Sequence, residues 1–187
     1  MADVTSALLS RHRAPVDQGS GRSTAPAPDP RLITFVELLF FAYRDFTSEA
    51  DAVLAEFGLG RAHHRVLHFV NRNPGLRVAD LLEILKITKQ SLARVLKQLL
   101  DQGWIEQKAG EQDRRQRLLH TTEKGAALAQ RLDGLQSRRV AQALARAGAG
   151  SADAAARFLF HMVTKEERAL VEALLPETVA ATAVGRP

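Results

Sequence analysis

The sequence predicts a mainly α-helical domain that carries one small β-hairpin. From residue 30 onward, apolar residues recur mostly at three- and four-residue spacings, which is the period of an α-helix. The pattern changes only over residues 104–121, where two short strand-like runs flank a polar loop. Two helices joined by a tight turn come directly before this hairpin. That order is typical of a winged helix-turn-helix.

Length and composition fit one compact domain. The chain has 187 residues, of which 45% are apolar and 25% charged, and it contains no cysteine. The missing cysteines exclude a disulfide framework, a cysteine nucleophile and cysteine-ligated zinc. Because no apolar run approaches the roughly 20 residues of a membrane span and no secretory signal opens the sequence, we expect a cytoplasmic protein without a membrane partner.

The excess of positive charge is concentrated in the centre of the chain. The net charge is +5, and residues 72–125 hold 11 basic and 7 acidic residues, whereas residues 32–71 hold 3 and 5. A localised basic region indicates a polyanionic partner such as a nucleic acid. An ordinary solvated face explains the same distribution equally well.

A long helix is predicted to begin at Pro30, with Asp29 as its N-cap, and to run to about Phe57. Residues 1–29 before it are rich in alanine, proline, glycine and serine, and we expect them to form a flexible tail. The helix carries a heptad stripe: Leu32, Val36, Leu39, Tyr43, Phe46, Ala50, Val53 and Phe57. Because its first half is apolar on other faces too, it needs a second surface, which a partner subunit supplies most simply. The alternative is a central helix buried within a monomer.

The remaining elements follow from caps and breaks. Helices are predicted over 59–71 and 78–85, and Thr88 caps a helix from Lys89 to Asp101 that ends at Gly103. Strands are predicted over 104–108 and 117–121. Thr122 then caps a helix that extends to 148–150, and Ser151 restarts a helix. A capping box at 164–167 opens a final helix to Leu175, and residues 176–187 are expected to be a flexible tail.

The helix beginning at Lys89 carries the polar side chains suited to base recognition. A recognition helix enters the DNA major groove near its N-terminal end, where glutamine can bind adenine, arginine or lysine can bind guanine, and serine can reach a base or a phosphate. The predicted contacts are Thr88, Lys89, Gln90, Ser91 and Arg94. An ordinary exposed helix face is the alternative interpretation.

The hairpin loop places three arginines, Arg114, Arg115 and Arg117, on a two-stranded ribbon. Arginine is favoured in a narrow minor groove because the negative potential is concentrated there. We expect Asp113 to orient a neighbouring arginine. Phosphate contacts are predicted for Arg77, Lys97, Arg114 and Arg117.

These motifs resemble the MarR family, the multiple-antibiotic-resistance regulators. The resemblance extends over roughly 32–147 and 164–175, and its most specific element is Asp113 and Arg115 followed by Thr122, Glu123 and Gly125. It implies a winged-helix homodimer with intertwined N- and C-terminal helices that binds pseudo-palindromic operators, by default as a repressor. Arg115 then takes the place of the minor-groove arginine. The implied layout is a helical dimerisation region (30–58 and 126–175) and a DNA-binding domain (59–125), with dimer contacts from Leu32, Val36, Leu39, Tyr43, Phe46, Leu170 and Leu174.

The resemblance also implies that a small anionic or phenolic effector enters a cleft between the two regions. Tyr43, His63 and His64 are the candidate cleft residues. His63 and His64 stand where many relatives have glutamine followed by an aromatic residue. Thr121 replaces a usual apolar residue, and residues 148–163 have the character of an insertion. The effector is therefore left open.

Other functions are less favoured. His64 and His68 lie four apart on one helical face, but supporting ligands are missing, so we expect no metal and no cofactor. The sequence has no Walker loop, His-Glu-x-x-His helix or Gly-x-Ser-x-Gly elbow, so we expect no enzyme. A winged-helix module that binds only protein is the alternative function.

Overall fold

In the computed structural model we describe residues 29–110 and 116–184, which form eight helices and three short strands. The helices are α1 Pro30–Ala55, α2 Arg61–Arg72, α3 Val78–Leu85, α4 Lys89–Asp101, α5 Glu123–Ala147, α6 Ser151–Met162, α7 Arg168–Leu174 and α8 Glu177–Val184; the strands are β1 Leu76–Arg77, β2 Ile105–Ala109 and β3 Arg117–Thr121. The predicted fold class, mainly helical with a small wing, is confirmed. None of the described helices has the length and apolar character needed to traverse a lipid bilayer.

The chain divides into two compact units, residues 1–38 and 39–187. In the first unit, the described residues form the start of α1. The carboxylate of Asp29 accepts a hydrogen bond from the backbone amide of Arg31 at 2.8 Å, so the predicted N-cap is confirmed. Leu32, Ile33 and Val36 on this part of the helix are exposed. The predicted tail lies outside the described residues except for Asp29.

The core of the second unit is built by the end of α1, by α2 to α5 and by the sheet. The second half of α1 contributes Ala50, Val53 and Leu54, and α2 contributes Val66, Leu67 and Val70, all buried. The other buried core residues are Leu59, Leu81, Leu85, Leu92, Val95, Leu96, Leu99, Trp104, Ile105, Leu119, Leu128, Ala129 and Leu132. One continuous apolar core therefore supports both the long helix and the helix-turn-helix.

The turn between α3 and α4 has the predicted position. Lys86 adopts a left-handed backbone conformation, with φ of 49°, and closes α3 through a hydrogen bond from its amide to the carbonyl of Leu82 at 3.0 Å. The hydroxyl of Thr88 accepts from the amide of Ser91 at 3.1 Å, so Thr88 is the N-cap of α4 as predicted. This cap fixes where the polar first turn of α4 begins.

The three strands form one antiparallel sheet in the order β1-β3-β2. In the hairpin, Ile105 pairs with Thr121 and Ala109 with Arg117, which confirms the predicted wing. Strand β1 was not predicted, because its two residues are held only by pairing with β3 and carry no sequence periodicity of their own. The hydroxyl of Thr121 donates to the side-chain oxygen of Asn71 at 3.2 Å. A residue of α2 thus provides the hydrogen-bond partner of this threonine, which stands where relatives usually have an apolar residue.

The start of α5 passes very close to the wing. Thr122 caps the helix by accepting from the amide of Gly125 at 3.1 Å. A Cβ atom at position 125 would lie 1.9 Å from the carbonyl oxygen of Trp104. Only glycine permits this approach, which explains the glycine in the Thr-Glu-x-Gly motif by packing.

Two predictions for the C-terminal segment are wrong. The capping box at Thr164 does not open a helix, since α7 begins only at Arg168 and the Glu167 carboxylate lies 3.0 Å from the amine of Lys86 instead. Residues 176–187 were expected to be a flexible tail, but α8 occupies 177–184 and buries Ala180 and Ala183. Its sequence, with three alanines among eight residues, gives a weak amphipathic signal, so tertiary contact with α6 decides its structure.

Candidate nucleic-acid interface

The first turn and a half of α4 presents polar side chains to solvent. Lys89, Gln90, Ser91 and Arg94 are all exposed, while the opposite face of the helix packs Leu92 and other apolar residues into the core. Ser91 accepts a hydrogen bond from the hydroxyl of Thr88 at 2.9 Å. Within residues 29–110 and 116–184, the side chains of Lys89, Gln90 and Arg94 have no hydrogen-bond or ion-pair partner. They are thus available to a partner at no cost in internal contacts.

Two other predicted contacts are engaged within the protein. The amine of Lys97 forms an ion pair with Asp101, one helical turn later. The guanidinium of Arg77 binds Asp80 through two nitrogens, and this lowers the pKa of the Asp80 carboxyl below its ordinary value. A phosphate group must compete with these carboxylates for both cations. Because both pairs are exposed, that competition is weak.

The wing is described up to its tip. Arg117 opens β3, is exposed, and pairs with Ala109 across the hairpin. The predicted wing residues Asp113, Arg114 and Arg115 lie outside the described residues. The register of β2 and β3 nevertheless brings the two ends of this loop together, because the amide of Gly110 donates to the carbonyl of Gln116 at 3.1 Å.

A cavity of about 520 Å³ lies between α1, α2 and α5. Its lining is Tyr43, Phe46, Thr47, Asp51, Arg61, His64, Arg65, His68, Phe69 and Gln136. Of the three predicted cleft residues, Tyr43 and His64 line this cavity, whereas His63 does not. Aromatic rings and two arginines share the lining, a combination that suits a small aromatic anion.

The charged groups of the cavity are only partly neutralised. Arg61 pairs with Asp51 at 2.7 Å and its guanidinium lies 5.5 Å from the ring centroid of Tyr43. His68 contacts the Asp133 carboxylate at 2.9 Å through Nδ1. Burial, reinforced by the neighbouring His68, lowers the pKa of His64 below its ordinary value of 6.5. Among the described residues, no three His, Cys, Asp or Glu side chains converge on a point where a metal ion would fit.

The candidate cleft residue His63 does not line this cavity, because its ring makes hydrogen bonds elsewhere. Its Nδ1 accepts a hydrogen bond from the amide of Gly60 at 3.1 Å, which closes the N-terminal turn of α2. Its Nε2 lies 2.9 Å from the Oε1 atom of Gln98 on α4. His63 and His64 are adjacent in the sequence but point away from each other, as successive helical residues do.

The predicted dimerisation residues fall into two groups. Leu32, Val36 and Tyr43 are exposed, and Leu39 and Phe46 are half-buried. Leu170 and Leu174 on α7 are also half-buried, and they line a second cavity of about 630 Å³ together with Ile84, Lys86 and other residues of the same unit. The exposed apolar side chains are therefore concentrated on α1.

Comparison with known proteins decides the family. A family model described as MarR family matches residues 57–116. The HTH-type transcriptional regulator PetP of Rhodobacter capsulatus is 48% identical over 120 residues, which cover 64% of this chain and 72% of PetP. The chain belongs to the MarR family. The fold and the winged helix-turn-helix follow from this membership, as does its general role as a DNA-binding transcriptional regulator.

Solved structures of the MarR family show the same fold. The transcriptional regulator SlyA superimposes with a TM-score of 0.59 at 22% identity, covering 68% of this chain and 90% of SlyA. A MarR family protein of Mycobacterium tuberculosis, in complex with salicylic acid, superimposes with a TM-score of 0.50 at 27% identity. The superposition covers 74% of this chain and 98% of the mycobacterial chain. Neither superposition covers the whole of this chain.

Some candidate residues were missed by the sequence argument. Arg61 and Arg65 line the cavity with His64 and His68, at the spacing that places residues on one face of α2. This polar stripe was visible in the sequence. In contrast, the partnership between His63 and Gln98 joins residues 35 positions apart, and no local pattern reveals it.

Proposed function

We propose that this MarR family member is a homodimeric repressor that places α4 of each subunit in the major groove of a pseudo-palindromic operator. The observation that carries the proposal is the first turn and a half of α4, where Lys89, Gln90 and Arg94 are exposed and have no partner among the described residues. Arginine and lysine bind guanine, and glutamine binds adenine, through the edges displayed in that groove.

The wing supplies the second contact. Arg115 is proposed to enter the adjoining minor groove, with Asp113 orienting a neighbouring arginine, as the family resemblance implies. Arg114 and Arg117 are proposed to bind phosphates on either side, together with Arg77 and Lys97. The exposed position of Arg117 at the start of β3 supports this arrangement, because the hairpin directs that end of the strand away from the core.

The dimer is proposed to form through α1 and the C-terminal helices. In the second unit, Phe40, Phe41 and Tyr43 are exposed on α1. A soluble protein rarely leaves a cluster of large apolar side chains in water unless another surface covers it. A twofold dimer would place the two α4 helices about 34 to 36 Å apart, one turn of the duplex.

An effector is proposed to bind the cavity between α1, α2 and α5. Arg61 and Arg65 there would attract a carboxylate or phenolate, while Tyr43, Phe46 and Phe69 would contact an aromatic ring. The salicylic acid complex of the mycobacterial relative supports this ligand class. Such a ligand would release DNA only if it binds the operator-incompetent arrangement of the dimer more tightly.

The test measures binding of the purified full chain to the intergenic duplex beside its own gene. Binding is measured by fluorescence anisotropy at several salt concentrations. We expect binding that weakens steeply with salt, because each neutralised phosphate releases counterions. A duplex with its inverted repeats scrambled is the control. Equal binding to both duplexes contradicts sequence recognition, and a flat salt response contradicts phosphate contact. Absence of binding to any duplex favours a module that binds only protein.

A further inference from the structure

A short chain of hydrogen bonds joins α4 to the junction between α1 and α2. The amide of Gly60 donates to Nδ1 of His63 at 3.1 Å. The ring of His63 meets Oε1 of Gln98 through Nε2 at 2.9 Å, and the side-chain amide of Gln98 donates to the carbonyl of Gly58 at 3.0 Å. Four residues from the α1–α2 junction, α2 and α4 are thereby connected.

The donors and acceptors fix the form of the imidazole. Because Nδ1 accepts from a backbone amide, it carries no proton. Nε2 must then carry the proton in the neutral ring and donate it to the Gln98 oxygen. With its oxygen taken, the amide of Gln98 turns its nitrogen to the carbonyl of Gly58. The donor and acceptor roles of His63 and Gln98 are therefore fixed by their neighbours in this series of hydrogen bonds.

These hydrogen bonds connect α4 to a junction whose backbone is itself well defined. Gly58 ends the turn after α1 in a left-handed conformation, with φ of 65°, and Gly60 is the N-cap of α2. Among the described residues, Gln98 is the one side chain of α4 that is hydrogen-bonded to α2 or to the turn that precedes α2. The buried residues of α4 are all apolar, and apolar packing tolerates small rotations, whereas hydrogen bonds are directional.

We infer that His63 and Gln98 are positioning residues that set the orientation of α4 relative to the α1–α2 junction. This inference rests on the proposed function, in which α4 must meet base edges with its first turn. Gln98 is half-buried, and both ends of its amide are bonded to the protein, so it is not itself placed to contact DNA. A recognition helix that loses this link keeps its side chains but presents them at a less defined angle.

The test uses two single variants and their combination. His63→Gln keeps the cap on Gly60, since glutamine at the third helical position reaches back to that amide, but it does not reproduce the imidazole bridge to Gln98. Gln98→Ala removes the bridge from the other side. We expect each variant to weaken binding of the intergenic duplex about tenfold at 25 °C, and the double variant to bind no more than about twofold weaker than either one. Gln130→Ala, an exposed glutamine on α5, is the matched control and should bind as the parent does.

A second readout separates positioning from folding. Two-bond ¹H–¹⁵N spectra of the imidazole should show the proton of His63 on Nε2 in the parent, and the Nε2 resonance should shift in Gln98→Ala while the resonance of Nδ1 changes little. Thermal unfolding should show every variant folded at the binding temperature. These measurements need no DNA.

The outcomes are distinguishable. Unchanged affinity in both single variants, or losses that add fully in the double variant, overturns the inference while the proposed function stands. A proton found on Nδ1 overturns it as well. A parent chain that binds no duplex contradicts the proposed function and removes this inference with it.

Discussion

Two exposed surfaces of the second unit differ in the side chains that they leave in water. The first turn and a half of α4 exposes Lys89, Gln90 and Arg94 and buries Leu92. Over residues 40–43, α1 does the opposite and exposes Phe40, Phe41 and Tyr43. A polar surface with free cations suits a hydrated polyanion, whereas an apolar surface is stable only when it is covered. The difference supports the two proposed partners of unlike chemistry, DNA on α4 and a second subunit on α1.

The largest effect is expected from placing charge on the apolar surface. Leu39→Glu combined with Phe46→Glu should yield monomers or insoluble protein, because burying two carboxylates in a dimer interface is strongly unfavourable. The oligomeric state is measured by sedimentation velocity, and soluble monomers should lose nearly all operator binding. Ser48→Glu, an exposed residue on another face of α1, adds one carboxylate away from the apolar surface and should leave the dimer intact. A stable, folded dimer from the double variant would place the interface elsewhere.

The next effect concerns Arg94, one of the two cations of α4 that have no partner among the described residues. Arg94→Ala should cost about 1 to 3 kcal/mol of operator binding and relax base preference at one position of each half-site. Anisotropy against a panel of single-base operator variants measures both quantities. If the variant discriminates among these duplexes as well as the parent does, Arg94 does not recognise a base.

A smaller effect is expected from the cap that begins this surface. Thr88→Ala should lower the free energy of unfolding by about 1 kcal/mol, because the amide of Ser91 loses its acceptor. Thr88→Ser keeps the hydroxyl and is the control. Urea unfolding measures the difference, and equal stability of the two variants would show that the cap contributes nothing.

The smallest effect is expected at Lys97. This lysine is paired with Asp101 and is proposed to contact a phosphate, so Lys97→Ala should weaken all duplexes alike by less than about 1 kcal/mol. The slope of log affinity against log salt should fall by about 1 per subunit. A change in base preference would instead show that Lys97 contacts a base edge in the groove.

The sequence predicted local structure well where a cap or a glycine marked it. The bounds of α4 agree with the prediction because Thr88 supplies the cap and Gly103 the left-handed turn after it. The wing hairpin was predicted from two strand-like runs that flank a polar loop. These signals depend on residues close together in the chain, which is why a single sequence contains them.

The features that were missed depend on distant contacts. His63 was named as a cleft candidate from the family resemblance, but its ring is hydrogen-bonded to Gly60 and to Gln98. Strand β1 exists only through pairing with β3, and α8 only through packing against α6. The positions of Asp113, Arg114 and Arg115 lie outside the described residues, so their roles stay predictions.

The central claim is that two subunits present two α4 helices to one duplex. Native mass spectrometry of the full chain with a duplex carrying a single inverted repeat tests it directly. We predict two chains per duplex, and a large loss of affinity when one half of the repeat is replaced. One chain per duplex, bound equally well when only a single half-site remains, would contradict the account.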